Sequence, residues 1–534
     1  MEPNILSITI LVMLTTAILL AILPVKHTLF SFQQNRYELP RYTEWWRMYI
    51  PLHKGAFIVP LVFALILLLV PIITPSWTLN IVALVVISLS YLIIGFVREK
   101  NKKYIKPLKY TGRVWRQIIV MILLLTITTL LILLFVPMHI WGLLYINSIL
   151  GPWLFIYLVY YITYPAEEYV RKYYINDAKK ILKGHKDLIK IGITGSYGKT
   201  STKNILQEIL SEKFYSLMTP ASFNTSMGVT IAIRNYLKPL HQVFICEMGA
   251  DKVDEIGFLT RFVENQFGLV TTIGPQHLNT FKTIENIMHE KMKMIENVPE
   301  GGVGFMNKDN EYIRNYPIKN PCKKVYYGME QEDVDFRAID IQYSPQGSKF
   351  NVVTSSNEKH EFTTRLLGEH NIMNILASIA IGRELGIEWD QLKRAVKKVK
   401  YVEHRLEVKK INGYTFIDNA FNSNPVSARV SLDILSGMPG KRVIITPGMI
   451  ELGEQEEEAN REFGRQMLGK VDKVILVGIN RTKPIQEGLK ETSFPEQDII
   501  IVKTVKEAFE YVYQNLSTED TMLIENDLPD VFNN

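Results

Sequence analysis

Five apolar runs occupy the first third of this 534-residue chain, near residues 5–24, 55–75, 79–97, 117–137 and 142–164. Each is long enough to cross a hydrocarbon layer of about 30 Å. Lipid offers no partner to an open backbone N–H or C=O, so a run of this kind is predicted to form a membrane-spanning helix. Gly151 and Pro152 interrupt the fifth run, which leaves a re-entrant or buried helix as the alternative there. The connections set the orientation. Lys26, Arg36, Arg41, Arg47 and Lys54 follow the first run; Arg98, Lys100, Lys102, Lys103, Lys106, Lys109, Arg113 and Arg116 follow the third. The connections around TPSW and VPMHI hold no lysine or arginine, so the basic loops belong in the cytoplasm. An odd number of crossings then puts the N-terminus outside and everything after Pro165 inside. The expectation is a multi-pass plasma-membrane protein, with a membrane domain over residues 1–170 and a cytoplasmic remainder. Glu2 and the lack of a basic leader argue against a cleaved signal peptide. The same basic loops suit anionic lipid, or, in a sharper reading, a lipid-linked phosphate.

Because much of the basic excess behind the net charge of +6 lies beside the apolar runs, the charge does not form a nucleic-acid footprint, and nucleic acid is excluded as a partner. Cys246 and Cys322, the only two cysteines, sit in strand-like stretches and give neither a disulfide framework nor metal-ligand spacing.

From about residue 188 short β-rich runs alternate with amphipathic helices, as in LIKIGIT, FYSLM, QVFICEMG, FGLVTTI and GVGFMN. Strand and helix in turn predict βαβ units and a parallel sheet. The fold class read from the sequence is therefore an α-helical transmembrane domain followed by α/β. A P-loop parallel-sheet domain is expected over 185–400, interrupted by short strands between 323 and 366, and a smaller Rossmann-like domain over 401–534 with YTFID, RVIITPG, KVILVG and DIIIVK. Ligands of such sheets bind at the carboxyl ends of strands.

One of those ends carries GITGSYGKTS. Gly195 and Gly198 let backbone N–H groups approach a phosphate, with Ser196 and Ser201 beside them, at a helix N-terminus whose dipole favours anions. Lys199 would reach the terminal phosphates and the Thr200 hydroxyl would ligate Mg²⁺. Ile193 stands where a strict Walker A loop has its first glycine.

From Leu188 to about Val512 the sequence resembles the Mur ligase superfamily, and within it the enzymes adding D-alanyl-D-alanine to a muramoyl tripeptide. TGSYGKTS is similar to the family's phosphate loop, SFNTSMGV to its Asn-rich turn, CEMGADKVDEI to its acidic strand end, and TIGPQHLNTF with HEKMKMI to its metal and modified-lysine region. LLGEHNIMNILASIAI resembles the adenine site; EHRLEV and IDNAFNSNPVS resemble the opening of the third domain, with MIELGEQEEEANREFG further on.

The resemblance implies an ATP- and Mg²⁺-dependent amide ligase. Its substrates would be a muramoyl-peptide-like or lipid-linked carboxylate and an amino acid or dipeptide. Forming an acyl phosphate and displacing it with an amine concentrates anionic oxygen, so such a site needs fixed cations and donors. The resemblance makes Glu247 and His277 metal ligands together with Thr200, Lys291 the lysine that is carbamylated, and Asn371 and Asn374 adenine contacts. It also makes Arg405 a phosphate-binding arginine of the third domain and Asp418 a ribose-binding carboxylate. Lys199, Lys291 and Arg405 form the catalytic set.

Departures from the pattern fall elsewhere. The family's small uridine-diphosphate domain is replaced by the apolar runs. Lys293 stands where a glutamate is frequent, Asn419 replaces an aspartate, Asn460 a histidine, and LIENDLPDVFNN a KGS signature. Two other classes compete: a P-loop motor driving transport through the helices, and an inactive membrane scaffold. The first lacks a transporter signature, and the second is at odds with intact Lys199, Glu247 and His277.

Overall fold

The computed structural model describes residues 3–52, 58–63, 65–66, 69, 77–101, 107–137, 141–344, 347–401, 406–420, 423–450 and 452–526. Two compact units emerge, Met1–Tyr173 and Tyr174–Asn534.

Four helices among the described residues are long and apolar enough to cross a membrane: Ile10–Gln34, Val82–Lys100 and Gly112–Phe135 in the first unit, and Leu143–Gly184, which begins there and ends past Tyr173. Much of the predicted 55–75 run lies outside the described residues. Pro152 does not break the last helix, which continues through both Pro152 and Pro165. The first helix extends well past residue 24 and carries Lys26 and His27 onto Glu99, at 2.5 and 2.9 Å. Polar groups elsewhere pair between helices, as in Thr16 with Tyr145 and Asn147 with Thr128 and Thr129. Large apolar side chains such as Leu134, Phe135 and Leu154 point outward, the inverse of a water-facing helix.

The second unit is built on two sheets. The larger has order β2-β3-β1-β4-β5-β6-β7-β8-β9, with β1 Ile189–Thr194, β2 Ser216–Met218, β3 Val243–Glu247, β4 Phe267–Val270, β5 Val303–Asn307 and β6 Lys323–Gly328 running parallel. The strands β7 Phe336–Ser344, β8 Gly347–Thr354 and β9 Lys359–Thr364 extend it as an antiparallel meander. These are the short strands expected between 323 and 366, and they belong to the same sheet. β3 is buried at every position, as a strand covered on both faces must be. One face is covered by the helices Lys199–Leu210, Glu369–Glu384 and Trp389–Lys398, whose Leu206, Ile375 and Leu392 share a core with Ile191 and Phe305. The other is covered by Glu255–Val263 and Ile284–Glu296, and by Ile175, Ala178 and Leu182 of the long helix.

The smaller sheet has order β10-β11-β15-β12-β13-β14, with β10 Glu407–Ile411, β11 Tyr414–Asn419, β12 Arg442–Thr446, β13 Lys473–Val477, β14 Ile499–Val502 and β15 Thr521–Glu525. β10 is antiparallel to β11 and the remaining pairs are parallel. Sequence patterning misses β10, which is polar and half-exposed, and β15, which lies in the middle of the sheet.

Candidate active site

β1 lies between β3 and β4 with all three strands parallel, so their carboxyl ends open on one edge. That adjacency brings three segments of the chain together: the loop after β1, the end of β3 at Glu247, and the loop after β4 that leads to His277.

The loop after β1 turns through Gly195 at φ 151° and Gly198 at φ 82°. A side chain on Gly198 would meet Asn374 Oδ1 at 2.8 Å, besides adopting a left-handed backbone. Gly198 also precedes the helix Lys199–Leu210 without any side-chain cap, leaving the first N–H groups of that helix to an incoming anion. The loop is fastened to the loop after β4. Ser196 N–H donates to Thr272 O at 2.6 Å, Ser196 Oγ donates to Gly274 O at 2.9 Å, and Tyr197 Oη donates to Pro275 O at 2.7 Å. Lys199 Nζ folds back onto Gly195 O and Ser196 O, at 2.6 and 3.1 Å. Ser201 is buried in the first turn of the helix.

Thr200 Oγ1 donates to Glu247 Oε1 at 3.1 Å, and Asn224 Nδ2 donates to the same oxygen at 3.1 Å. Glu247 is buried at the end of β3. A hydroxyl and a carboxylate oxygen at a phosphate loop are the donors a hard cation such as Mg²⁺ takes. Among the described residues no group of three or more His, Cys, Asp or Glu side chains forms a cage. His277 adopts φ 55° and places Nε2 3.3 Å from Asp251 Oδ1. Asp251, four residues beyond Glu247, is a member of the site that sequence reading missed.

Lys291 is 2 % exposed. Burial, and then the positive charge of Lys199, push its pKa down to about 7, with Asp251, Glu290 and Glu255 pulling the other way. The charges of Lys199 and Asp251 therefore both act on Lys291, which ties the phosphate loop, the end of β3 and the helix Ile284–Glu296 into one electrostatic neighbourhood. Lys293 faces elsewhere: its Nζ pairs with Glu290 Oε2 at 2.9 Å and Asp254 Oδ1 at 3.2 Å. Glu290 in turn accepts from Asp254 N and Ile256 N, both at 2.7 Å, around the start of the next helix. The departure at residue 293 is thus part of a helix-end clamp.

Asn371 and Asn374 are buried on the helix Glu369–Glu384. Asn374 Oδ1 accepts from Thr202 Oγ1 at 3.0 Å, setting this residue against the phosphate-loop helix, while its Nδ2 is buried with no partner. Asn371 Nδ2 donates to Leu367 O at 2.9 Å. On the smaller sheet, Asp418 Oδ2 accepts from Lys409 Nζ at 2.8 Å. Arg405 lies outside the described residues. Asn460 closes the turn after β12 through Met449 N at 2.8 Å, Met449 O at 3.0 Å and Glu456 O at 2.8 Å. Asn419 donates at 2.8 Å to Glu525, which is buried and also accepts from Ser431 at 2.6 Å and from Ser423.

A parallel sheet whose central strand feeds a GKT loop into an uncapped helix is a nucleotide-binding fold of the P-loop type. Residues 193–382 match the Mur ligase middle domain and residues 404–525 match the Mur ligase, glutamate ligase domain. The chain belongs to the Mur ligase family. It is 27 % identical over 337 residues to the UDP-N-acetylmuramoyl-tripeptide--D-alanyl-D-alanine ligase of Bacillus subtilis, covering 62 % of this chain and 72 % of that one. With the enzyme of the same name from Escherichia coli it shares 28 % identity over 291 residues, 54 % of this chain and 64 % of that one. MurF from Acinetobacter baumannii has a similar fold, at TM-score 0.60 and 23 % identity over 67 % of this chain and 77 % of that one. So does MurF ligase from Thermotoga maritima in complex with ADP, at TM-score 0.60 and 23 % identity, covering 67 % and 80 %.

Proposed function

We propose that this protein is a membrane-anchored, ATP- and Mg²⁺-dependent ligase that joins a muramoyl-peptide-like or lipid-linked carboxylate to an amino acid or dipeptide in cell-envelope synthesis. The observation that carries the reading is the convergence at the end of β1: Thr200 on Glu247, with the buried Lys291 under the charge of Lys199. The relatives are named as ligases of a muramoyl tripeptide and D-alanyl-D-alanine, and one neighbour holds ADP.

In this reading a substrate carboxylate oxygen attacks the γ-phosphorus of ATP and ADP departs. The amine nitrogen then attacks the acyl carbon, and inorganic phosphate leaves as the amide forms. Gly195, Ser196, Gly198 and Ser201 line the phosphate cradle, and Lys199 swings from its own loop carbonyls to the terminal phosphates. Thr200 and Glu247, with His277 nearby through Asp251, would hold Mg²⁺, which supplies charge neutralisation on the transferring phosphoryl group. The neutral fraction of Lys291 near pH 7 is the form that can add CO₂, and the resulting carbamate is an anion suited to neighbouring cations. Asn371 and Asn374 bind the base, Asp418 binds the ribose on release from Lys409, and Arg405 reaches the phosphates. The four apolar helices anchor the enzyme at the plasma membrane with its second unit cytoplasmic, and their presence in place of a nucleotide-sugar domain favours an acyl carrier on lipid.

The test is an assay of detergent-solubilised protein with ATP, Mg²⁺, soluble or lipid-linked muramoyl peptides, and amino acids or dipeptides. Phosphate release that needs both carboxylate and amine is expected. Release that needs neither, with no amide product, would refute the reading and favour a transport ATPase.

A further inference from the structure

Lys203 is an ammonium 1 % exposed, one turn beyond the phosphate loop, and the function above gives it no role. Its Nζ lies 3.1 Å from Glu247 Oε2 and donates to Ala221 O at 2.5 Å. Glu247 is therefore divided. Oε1 receives the neutral donors Thr200 and Asn224, and Oε2 faces a full positive charge. A buried carboxylate without a cation beside it is strongly disfavoured, and Lys203 is the cation set against Glu247. The same charge opposes a second cation at Oε1, because like charges a few ångströms apart inside a protein repel strongly. No cage of three acidic, histidine or cysteine groups offsets that repulsion among the described residues. A triphosphate does offset it, since it brings its own negative charge.

We propose that Lys203 is a positioning residue that neutralises Glu247 in the resting enzyme, so that the site refuses a bare divalent cation and admits one only together with a nucleotide triphosphate. The inference rests on Glu247 as a metal ligand. Through Ala221 the same ammonium also ties the Pro220–Thr225 turn, which carries Asn224, to the metal carboxylate. Glu247 Oε1 is thereby held ready for a metal–phosphate ligand in one orientation.

The test uses full-length protein in detergent, with Mn²⁺ as probe and its electron paramagnetic resonance signal as readout, independent of turnover. Nucleotide-free wild type and Lys203→Arg should leave Mn²⁺ in its free form. Lys203→Met and Lys203→Gln should bind one Mn²⁺ about tenfold or more tightly than wild type, and adding Glu247→Gln should abolish the gain. Lys203→Gln keeps a donor for Ala221 O and guards against a folding defect in the methionine variant. If nucleotide-free wild type already binds one Mn²⁺, and Glu247→Gln removes that binding, the proposal is overturned, a result that needs no Lys203 variant to fold. A second arm separates the two readings. When Glu247→Gln leaves Mn²⁺·ATP binding at the wild-type level, the metal role of Glu247 has failed. When that variant loses Mn²⁺·ATP but the neutral variants gain no affinity for bare Mn²⁺, the proposal about Lys203 alone has failed.

Discussion

Replacing Lys291 by methionine should stabilise the resting protein while removing its activity, and the stabilisation should depend on pH in a calculable way. The ordinary lysine pKa is 10.5, and burial beside Lys199 lowers it to about 7 in the folded protein. Between those values the unfolded chain binds more protons than the folded one, so wild-type stability rises with pH across that window and has lost this contribution below it. At about 1.36 kcal/mol per pKa unit, the penalty borne by Lys291 at pH 7 is roughly 4 kcal/mol, an upper bound that local relaxation reduces. Raising the pH from 6 to 9 relieves about 2–3 kcal/mol of it. For a soluble part of this size that is a melting shift of about 3 °C. The assay is scanning fluorimetry of wild type and Lys291→Met, nucleotide-free and in carbonate-free buffer, with the difference between them plotted against pH. Other titrating groups cancel in the difference. The variant should melt higher at pH 6 and its advantage should shrink towards pH 9. Parallel pH profiles for the two proteins would refute the argument that Lys291 is a buried, depressed amine.

Lys199→Ala should abolish amine-dependent phosphate release while the protein still folds, since its Nζ donates to the loop carbonyls of Gly195 and Ser196; release at the wild-type rate would count against the phosphate loop. Asn460→Ala should cost about 1–3 kcal/mol in denaturant unfolding, because it strips both backbone groups of Met449 of their partner in a buried turn. Glu525→Gln tests the opposite linkage to Lys291. Burial raises the pKa of this acid above 4.5, so the wild-type contribution is fully present below that value and is lost as pH rises through the folded pKa. The stability difference, wild type minus variant, should therefore fall with rising pH, and a flat difference would show that Glu525 does not titrate as a buried acid.

Part of the candidate site could be read from the chain because it is local. Gly195, Gly198, Lys199 and Thr200 fall within one turn and one helix start. The parallel strands were equally legible, since β1, β3 and β4 are short apolar runs bounded by helices. What the sequence hid depends on partners distant along the chain. Lys203 looks like a solvated helix lysine until the fold sets it on Glu247. Asp251 looks like a loop acid until His277 is beside it. Lys293 reads as a departure from a family pattern, yet it clamps Glu290 and Asp254 outside the phosphate loop. β15 was missed because its last three residues, Leu523 to Glu525, open the stretch where the family signature is altered, although it pairs with both β11 and β12.

The Tyr197 ring lies against Gly274, where an added Cβ would come within 2.8 Å of it. A residue larger than glycine at position 274 therefore makes the Tyr197 ring shift or shrink, although 76 other residues separate them in the chain. Alanine at 274 should be rescued by serine at 197 and by little else. Ring and hydrogen bonds together join the two loops, so a substitution in either one is felt by the other.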